Sequence, residues 1–309
     1  DRITAAEFVT PPELAEWSLA ASGAGRIGGV RLELIADAAV THLGYCYQQV
    51  PLRVLPPFSF GPGQPSLVYL LNPTAGLMDG DAQLVRLRAG PGTRSVVTGQ
   101  SATRIHPAIR GFSTQQWIIQ VAKGAVLLVL PGPAIPFQGC RCFQRISIDL
   151  EEGADLVWGD LWVAGRYERG VASERFQFQA IVQETIVRRA GRLVFRDRFC
   201  WRGPWDERTA AWHFGAAPAC GSLFVTGSFV DNGHAAHFAT AAGDTCFRWC
   251  GESEAVVAGL VETALRAAGE KSGRTWLKQP DLAPNHWFRT NGESRGLSVS
   301  DIHEDRRRW

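Results

Sequence analysis

The residue types best suited to hold a metal are His234-x-x-His237 and, shortly after them, Cys246-x-x-x-Cys250. Two imidazoles and two thiolates can close a tetrahedral site for zinc or nickel. Their spacing is irregular, and free thiols buried as small hydrophobes are the competing reading. Cys140-x-Cys142 puts two thiols on one face of a strand, which alone makes no site. Gly23-x-Gly25-x-x-Gly28 has dinucleotide spacing, but such a loop must follow a strand and open a helix. Here a helix-like segment precedes it and an alternating segment follows, so it reads as a plain loop. Gly269-Glu270-Lys271-Ser272 lacks the glycine that a phosphate loop places before its lysine, which excludes GTP or ATP hydrolysis by this chain. Gly99-Gln100-Ser101-Ala102-Thr103 lacks the closing glycine of a nucleophile elbow, and Pro107 opposes the helix an elbow feeds. No H-E-x-x-H or C-x-x-C occurs in the sequence. These residues favour a binding or scaffolding protein over an enzyme.

The elements that must position them are short and mostly extended. Apolar and charged residues alternate at 30–34, 83–88, 176–181 and 192–195, the period of a strand with one wet face. Segments 66–71 and 125–130 are apolar throughout and suit strands covered on both faces. Turn signals such as Gly61-Pro62-Gly63, Gly90-Pro91-Gly92 and Pro131-Gly132-Pro133 separate them. More than a dozen strands between about 30 and 230 predict an all-β fold of β-helix-like or stacked-sheet architecture, without a βαβα rhythm. Helices are expected only near the ends. Thr10-Pro11-Pro12-Glu13 reads as a capping box for a short helix ending before Gly23. Val257, Leu260, Val261, Ala264, Leu265 and Ala268 recur at helical spacing, with Gly269 as the stop. The charged end 301–309 reads as frayed. No internal repeat or linker divides the chain, so residues 1–309 read as a single domain with its core at about 29–230.

Hydrophobic residues make up 45% and charged residues 20% of the 309, enough for a substantial core. A net charge of +2 supplies no field to capture nucleic acid or an anionic membrane. The run 125–130 stops at Pro131, far short of a membrane span. Residues 1–4 lack a basic-then-apolar signal, and seven cysteines form no dense disulfide framework. A cytoplasmic protein is expected.

Five segments, in order, resemble the urease accessory protein UreD family, called UreH in some systems. They are 50–58 (VPLRVLPPF), 68–81 (VYLLNPTAGLMDGD), 97–104 (VTGQSATR), 130–137 (LPGPAIPF) and 158–166 (WGDLWVAGR). The departures are Ala75 and Ser173, each where glycine is usual, and Pro284-Asn285-His286-Trp287 in place of a Pro-Arg-aromatic ending. The resemblance implies a β-helix-like fold and a non-enzymatic role in urease maturation. It implies binding to apo-urease and to UreF, with UreG recruited through UreF, and passage of nickel toward the urease site without a tightly bound cofactor. Eleven tryptophans and sixteen phenylalanines with little net charge further predict a chain that self-associates alone and is improved by UreF.

On that reading Asp79, Asp81 and Asp160 are transient nickel ligands. Thr98, Ser101, Thr103 and Arg104 line the route, and Arg104 and Arg166 hold or balance the carboxylates. A conduit needs shallow, successive wells of hydrated carboxylates and hydroxyls, because imidazoles and thiolates would hold nickel and stall it. The alternatives are a stand-alone metalloenzyme built on His234, His237, Cys246 and Cys250, and a β-rich interaction module unrelated to nickel.

Overall fold

A computed structural model of the chain describes residues 2–19, 25–38, 40–166, 174–215, 217–230, 236–273 and 276. Gly23, Ser173, His234 and the stretches 284–287 and 301–309 lie outside the described residues. The chain runs through β1 (Ile27–Asp37), β2 (Val40–Gln49), β3 (Arg53–Val54), β4 (Phe58–Ser59), β5 (Ser66–Leu71) and β6 (Ala82–Ala89). It continues through β7 (Arg94–Gly99), β8 (Thr103–Ile105), β9 (Ser113–Val121), β10 (Val126–Leu130), β11 (Pro133–Pro136) and β12 (Arg141–Leu150). Then come β13 (Asp155–Val163), β14 (Ala180–Arg189), β15 (Arg192–Arg202), α1 (Glu207–Phe214), β16 (Ala219–Val225), β17 (Ala236–Ala239), β18 (Thr245–Gly251) and α2 (Ser253–Ser272).

The fold is mainly β, as the strand pattern predicts. One sheet has the order β15-β14-β12-β9-β6-β1-β2, and the other runs β17-β18-β16-β13-β10-β7-β5-β3. Within each, the central neighbours are parallel. Parallel strands ordinarily need helical crossovers. Here the crossover from β6 to β9 is β7 of the opposite sheet, and β10 plays the same part between β9 and β12. The chain therefore coils, and a narrow third strip forms where β8 pairs β11 and β11 pairs the end of β13. This coiling is a structural repeat of about 30 residues that the sequence reading missed. Its corners are marked by Gly92, Gly124 and Gly153 at φ 72°, 74° and 77°, a left-handed conformation that side chains other than glycine rarely adopt.

Inward-facing residues of both sheets, among them Val85, Leu87, Trp117, Ile119, Ile146, Leu127 and Trp158, make the central core. The far face of the second sheet is closed by α2, whose Val256, Val257, Leu260, Val261 and Ala264 pack on Leu128, Val157, Leu161 and Leu223. That sheet runs on to Gly251, so the strand-built part extends beyond 230.

Four local expectations are corrected. Pro12–Leu14 is a single 3₁₀ turn whose N-cap, Pro11, makes no side-chain cap. Phe176 sits at φ 59° and the strand begins only at Ala180, because Phe176 and Phe178 turn into an aromatic cluster with Trp205. The C-terminal helix passes through the buried Gly269 and stops at Gly273, at φ 64°. Helices are also not confined to the ends: α1 lies between β15 and β16, capped by Asp206, which accepts from Thr209 N–H at 2.8 Å.

Candidate functional site

Pleating decides which residues meet. On β13, Leu156 and Trp158 face the opposite sheet while Val157 faces α2, so Asp160 faces the interior. Across from it the first sheet presents Gln83, Gln115, Gln144 and Gln183, which are in register on β6, β9, β12 and β14. All four are buried. Gln115 Nε2 donates to Gln83 Oε1 at 3.2 Å, and Gln144 Nε2 to Gln115 Oε1 at 3.5 Å. Indole N–H groups complete the ladder: Trp117 Nε1 donates to Gln115 Oε1 at 3.4 Å and Trp162 Nε1 to Gln183 Oε1 at 2.8 Å.

Two adjoining cavities lie along this seam. The first, about 60 Å³, is lined by Gln83, Ser101, Thr103, Arg104, Gln115 and Trp117 among others. The second, about 10 Å³, is lined by Thr103, Gln115, Gln144, Trp158 and Asp160 among others. Thr103, Gln115, Trp117 and Pro131 belong to both. Burial pushes the Asp160 carboxyl above the ordinary aspartate value, against the opposing pull of Arg248 and the hydrogen bond from Trp158 Nε1 at 3.2 Å.

The structure thus brings Ser101, Thr103, Arg104 and Asp160 to the cavities. Asp79 and Asp81 are engaged elsewhere. Asp79 Oδ2 accepts from the N–H groups of Ile109 and Arg110, and its Oδ1 from Gly111, each at 2.9 Å. Asp81 accepts from Arg26 N–H at 2.8 Å and Met78 N–H at 2.9 Å. Thr98 points to the face opposite Val97 and donates to the Leu130 carbonyl at 2.9 Å, away from the cavities. Arg166 does not hold Asp160. It forks onto Glu174 and lies over the Phe137 ring, 4.7 Å from its centroid. The arginine that bears on Asp160 is Arg248, itself 2.5 Å from Asp197.

His237, Cys246 and Cys250 do not converge. Cys246 is packed in the central core, whereas His237 pairs with Phe247 and tilts against its ring on the other face. Cys250 stands opposite Cys220 across the β16–β18 pair. Among the described residues no group of three or more His, Cys, Asp or Glu is placed to hold a metal. Burial pushes Cys142 and Cys246 up to about 12 and raises Cys140 and Cys220 as well, so these thiols are protonated near neutral pH.

The glutamine ladder is the part of the site that sequence reasoning missed. Its signal was present: Gln83-x-Val-x-Leu-x-Ala, Gln115-x-Trp-x-Ile-x-Val and Gln144-x-Ile-x-Ile-x-Leu share one pattern. One polar residue opens each inward-facing row and the rest of the row is apolar.

No helix of the described residues is long and apolar enough to cross a membrane. The family model described as UreD urease accessory protein matches residues 26–279. Among similar curated proteins, urease accessory protein UreD 2 of Synechococcus sp. (strain JA-3-3Ab) is 30% identical over 194 residues, 60% of this chain and 69% of that protein. Urease accessory protein UreD of Deinococcus radiodurans is 34% identical over 181 residues, 58% of this chain and 64% of that protein. Urease accessory protein UreD 2 of Streptomyces griseus is 30% identical over 174 residues, 56% of this chain and 58% of that protein. The match with the family model spans the coiled sheets, the cavities between them and α2. The chain belongs to the UreD urease accessory protein family, whose members serve urease maturation and are not enzymes.

Proposed function

We propose that this chain binds apo-urease together with UreF, and UreG through UreF, in the cytoplasm, and that nickel crosses it between the two sheets on its way to the urease active site. The observation that supports this reading is the continuous polar seam of Thr103, Gln115, Gln144 and Asp160 through an otherwise apolar interior. An apolar interior would oppose a hydrated dication, because stripping its water is costly. Hydroxyls, amides and one carboxylate offer weak, successive wells, while the protonated thiols do not compete. Asp160, Ser101 and Thr103 are the working residues. Asp79 holds the 109–111 turn, Asp81 holds the turn from Met78, and Arg166 is tied to Glu174.

The test is expression of urease with its other accessory genes, with and without this chain. Equal urease activity and nickel content in both would sink the maturation role. Asp160→Ala and Thr103→Leu, the second narrowing the passage, should each lower urease nickel while the accessory complex still assembles. Full activation by both variants would remove them from the route.

A further inference from the structure

Buried polar atoms find partners, and an exception that lines a cavity calls for a water or a bound group to complete it. Gln83 is fully buried, at 0% exposure, and its Nε2 has no hydrogen-bond partner. The orientation of that amide follows from its neighbours rather than from convention. The Trp117 indole can only donate, so the Gln115 atom facing it is the oxygen. Gln144 Nε2 donates to the same oxygen. Gln115 is left with its NH₂ toward Gln83, and the Gln83 atom meeting that donor must be Oε1. The group left over on Gln83 is therefore a donor, on a residue lining the 60 Å³ cavity.

The rest of that lining contains the Ser101 and Thr103 hydroxyls and Arg104, and no carboxylate. Arg104 is an exposed residue at the rim, without an ion pair or side-chain hydrogen bond among the described residues. We propose that this cavity is a binding site for a small monovalent oxyanion of the carboxylate or bicarbonate class. Gln83 Nε2 donates from within, Arg104 supplies the opposite charge at the rim, and the hydroxyls turn to either partner. A water molecule would satisfy the amide alone, whereas an oxyanion engages the amide and the guanidinium together. The volume exceeds that of a single water site several-fold and admits an anion of a few heavy atoms.

The assignment does not depend on any cargo, and the purified chain alone tests it. Side-chain amides of glutamine are labelled with ¹⁵N, and sodium formate or sodium bicarbonate is titrated against sodium chloride at matched ionic strength. Gln83→Leu identifies the Gln83 NH₂ signals by their loss. Those signals should shift saturably with formate, bicarbonate or both, and not with chloride. Arg104→Gln, a change at an exposed position that leaves the fold in place, should weaken the affinity on the order of tenfold. A linear response, an equal response to chloride, or unchanged affinity in Arg104→Gln would each overturn the site and leave a water-filled cavity.

Discussion

Asp160 and Asp79 show how differently a fold can treat two carboxylates. Asp160 faces a mostly apolar interior that raises its proton affinity. A carboxylate raised in the folded state binds its proton more tightly there than in the unfolded chain. The stability it withdraws is therefore nil at pH below the ordinary aspartate range, and grows as pH rises through that range. Asp160→Asn keeps an oxygen for Trp158 and removes the charge. Its melting temperature should match wild type near pH 3 and exceed it increasingly from about pH 4 upward. Thermal denaturation across that window checks it, and a gap opening in the other direction would show that Arg248 more than offsets the burial. Asp79 lies in a turn instead, where its carboxyl accepts three backbone N–H groups. Asp79→Ala loses three hydrogen bonds to a carboxylate and hands the exposed donors of the 109–111 turn to water, at a cost of about 1–3 kcal/mol in chemical denaturation.

At the scale of elements, α2 is what closes the second sheet. Leu260 sits in a notch over two glycines: a Cβ on Gly159 would lie 3.1 Å from Leu260 Cδ2, and one on Gly221 3.0 Å from Leu260 Cδ1. Emptying that notch with Leu260→Ala should cost about 2–5 kcal/mol in denaturant unfolding, the range of a buried leucine whose surroundings cannot collapse. A loss under 1 kcal/mol would mean that α2 docks loosely. The helix itself was legible, since its apolar residues recur at one spacing over about three turns. Its end was not, because Gly269 is buried against the sheet and packing carries the helix past a residue that is only mildly unfavourable inside one. The short α1 escaped because eight residues hold too few turns to show a period. At 176–181 the alternation was real but aromatic stacking used it, turning Phe176 and Phe178 toward Trp205. The ladder went unseen for a different reason. Each glutamine alone reads as a polar residue in a half-wet strand, and only the parallel register of four strands places them side by side.

Coiling places most strands between neighbours, yet a coil has ends, and there the whole molecule meets solvent with its backbone and apolar side chains uncovered. The end of the second sheet built by β3 and β4 carries Val50, Leu55, Phe58 and Phe60, exposed at 48%, 38%, 48% and 44%. The hairpin-like pairs there are two residues long, so few interstrand bonds hold this end. Short edge strands resist edge-to-edge pairing, but clustered apolar side chains on such an edge favour contact with a second copy. A net charge of +2 offers little repulsion to oppose it. Trp212, 85% exposed on α1, is a single residue on a different element and a weaker contributor. The isolated chain should therefore show sedimentation coefficients that rise with concentration. Phe58→Ser with Phe60→Ser should flatten that rise far more than Trp212→Ser does. Phe58 is half-exposed with an edge contact to Tyr69, at 5.9 Å between ring centroids, and Phe60 lies outside the strands, so the pair costs the fold little. Velocity sedimentation of the three proteins at matched salt decides the matter. Equal concentration dependence in all of them would place the self-contact elsewhere on the surface, and higher salt should strengthen rather than weaken an association driven by apolar area.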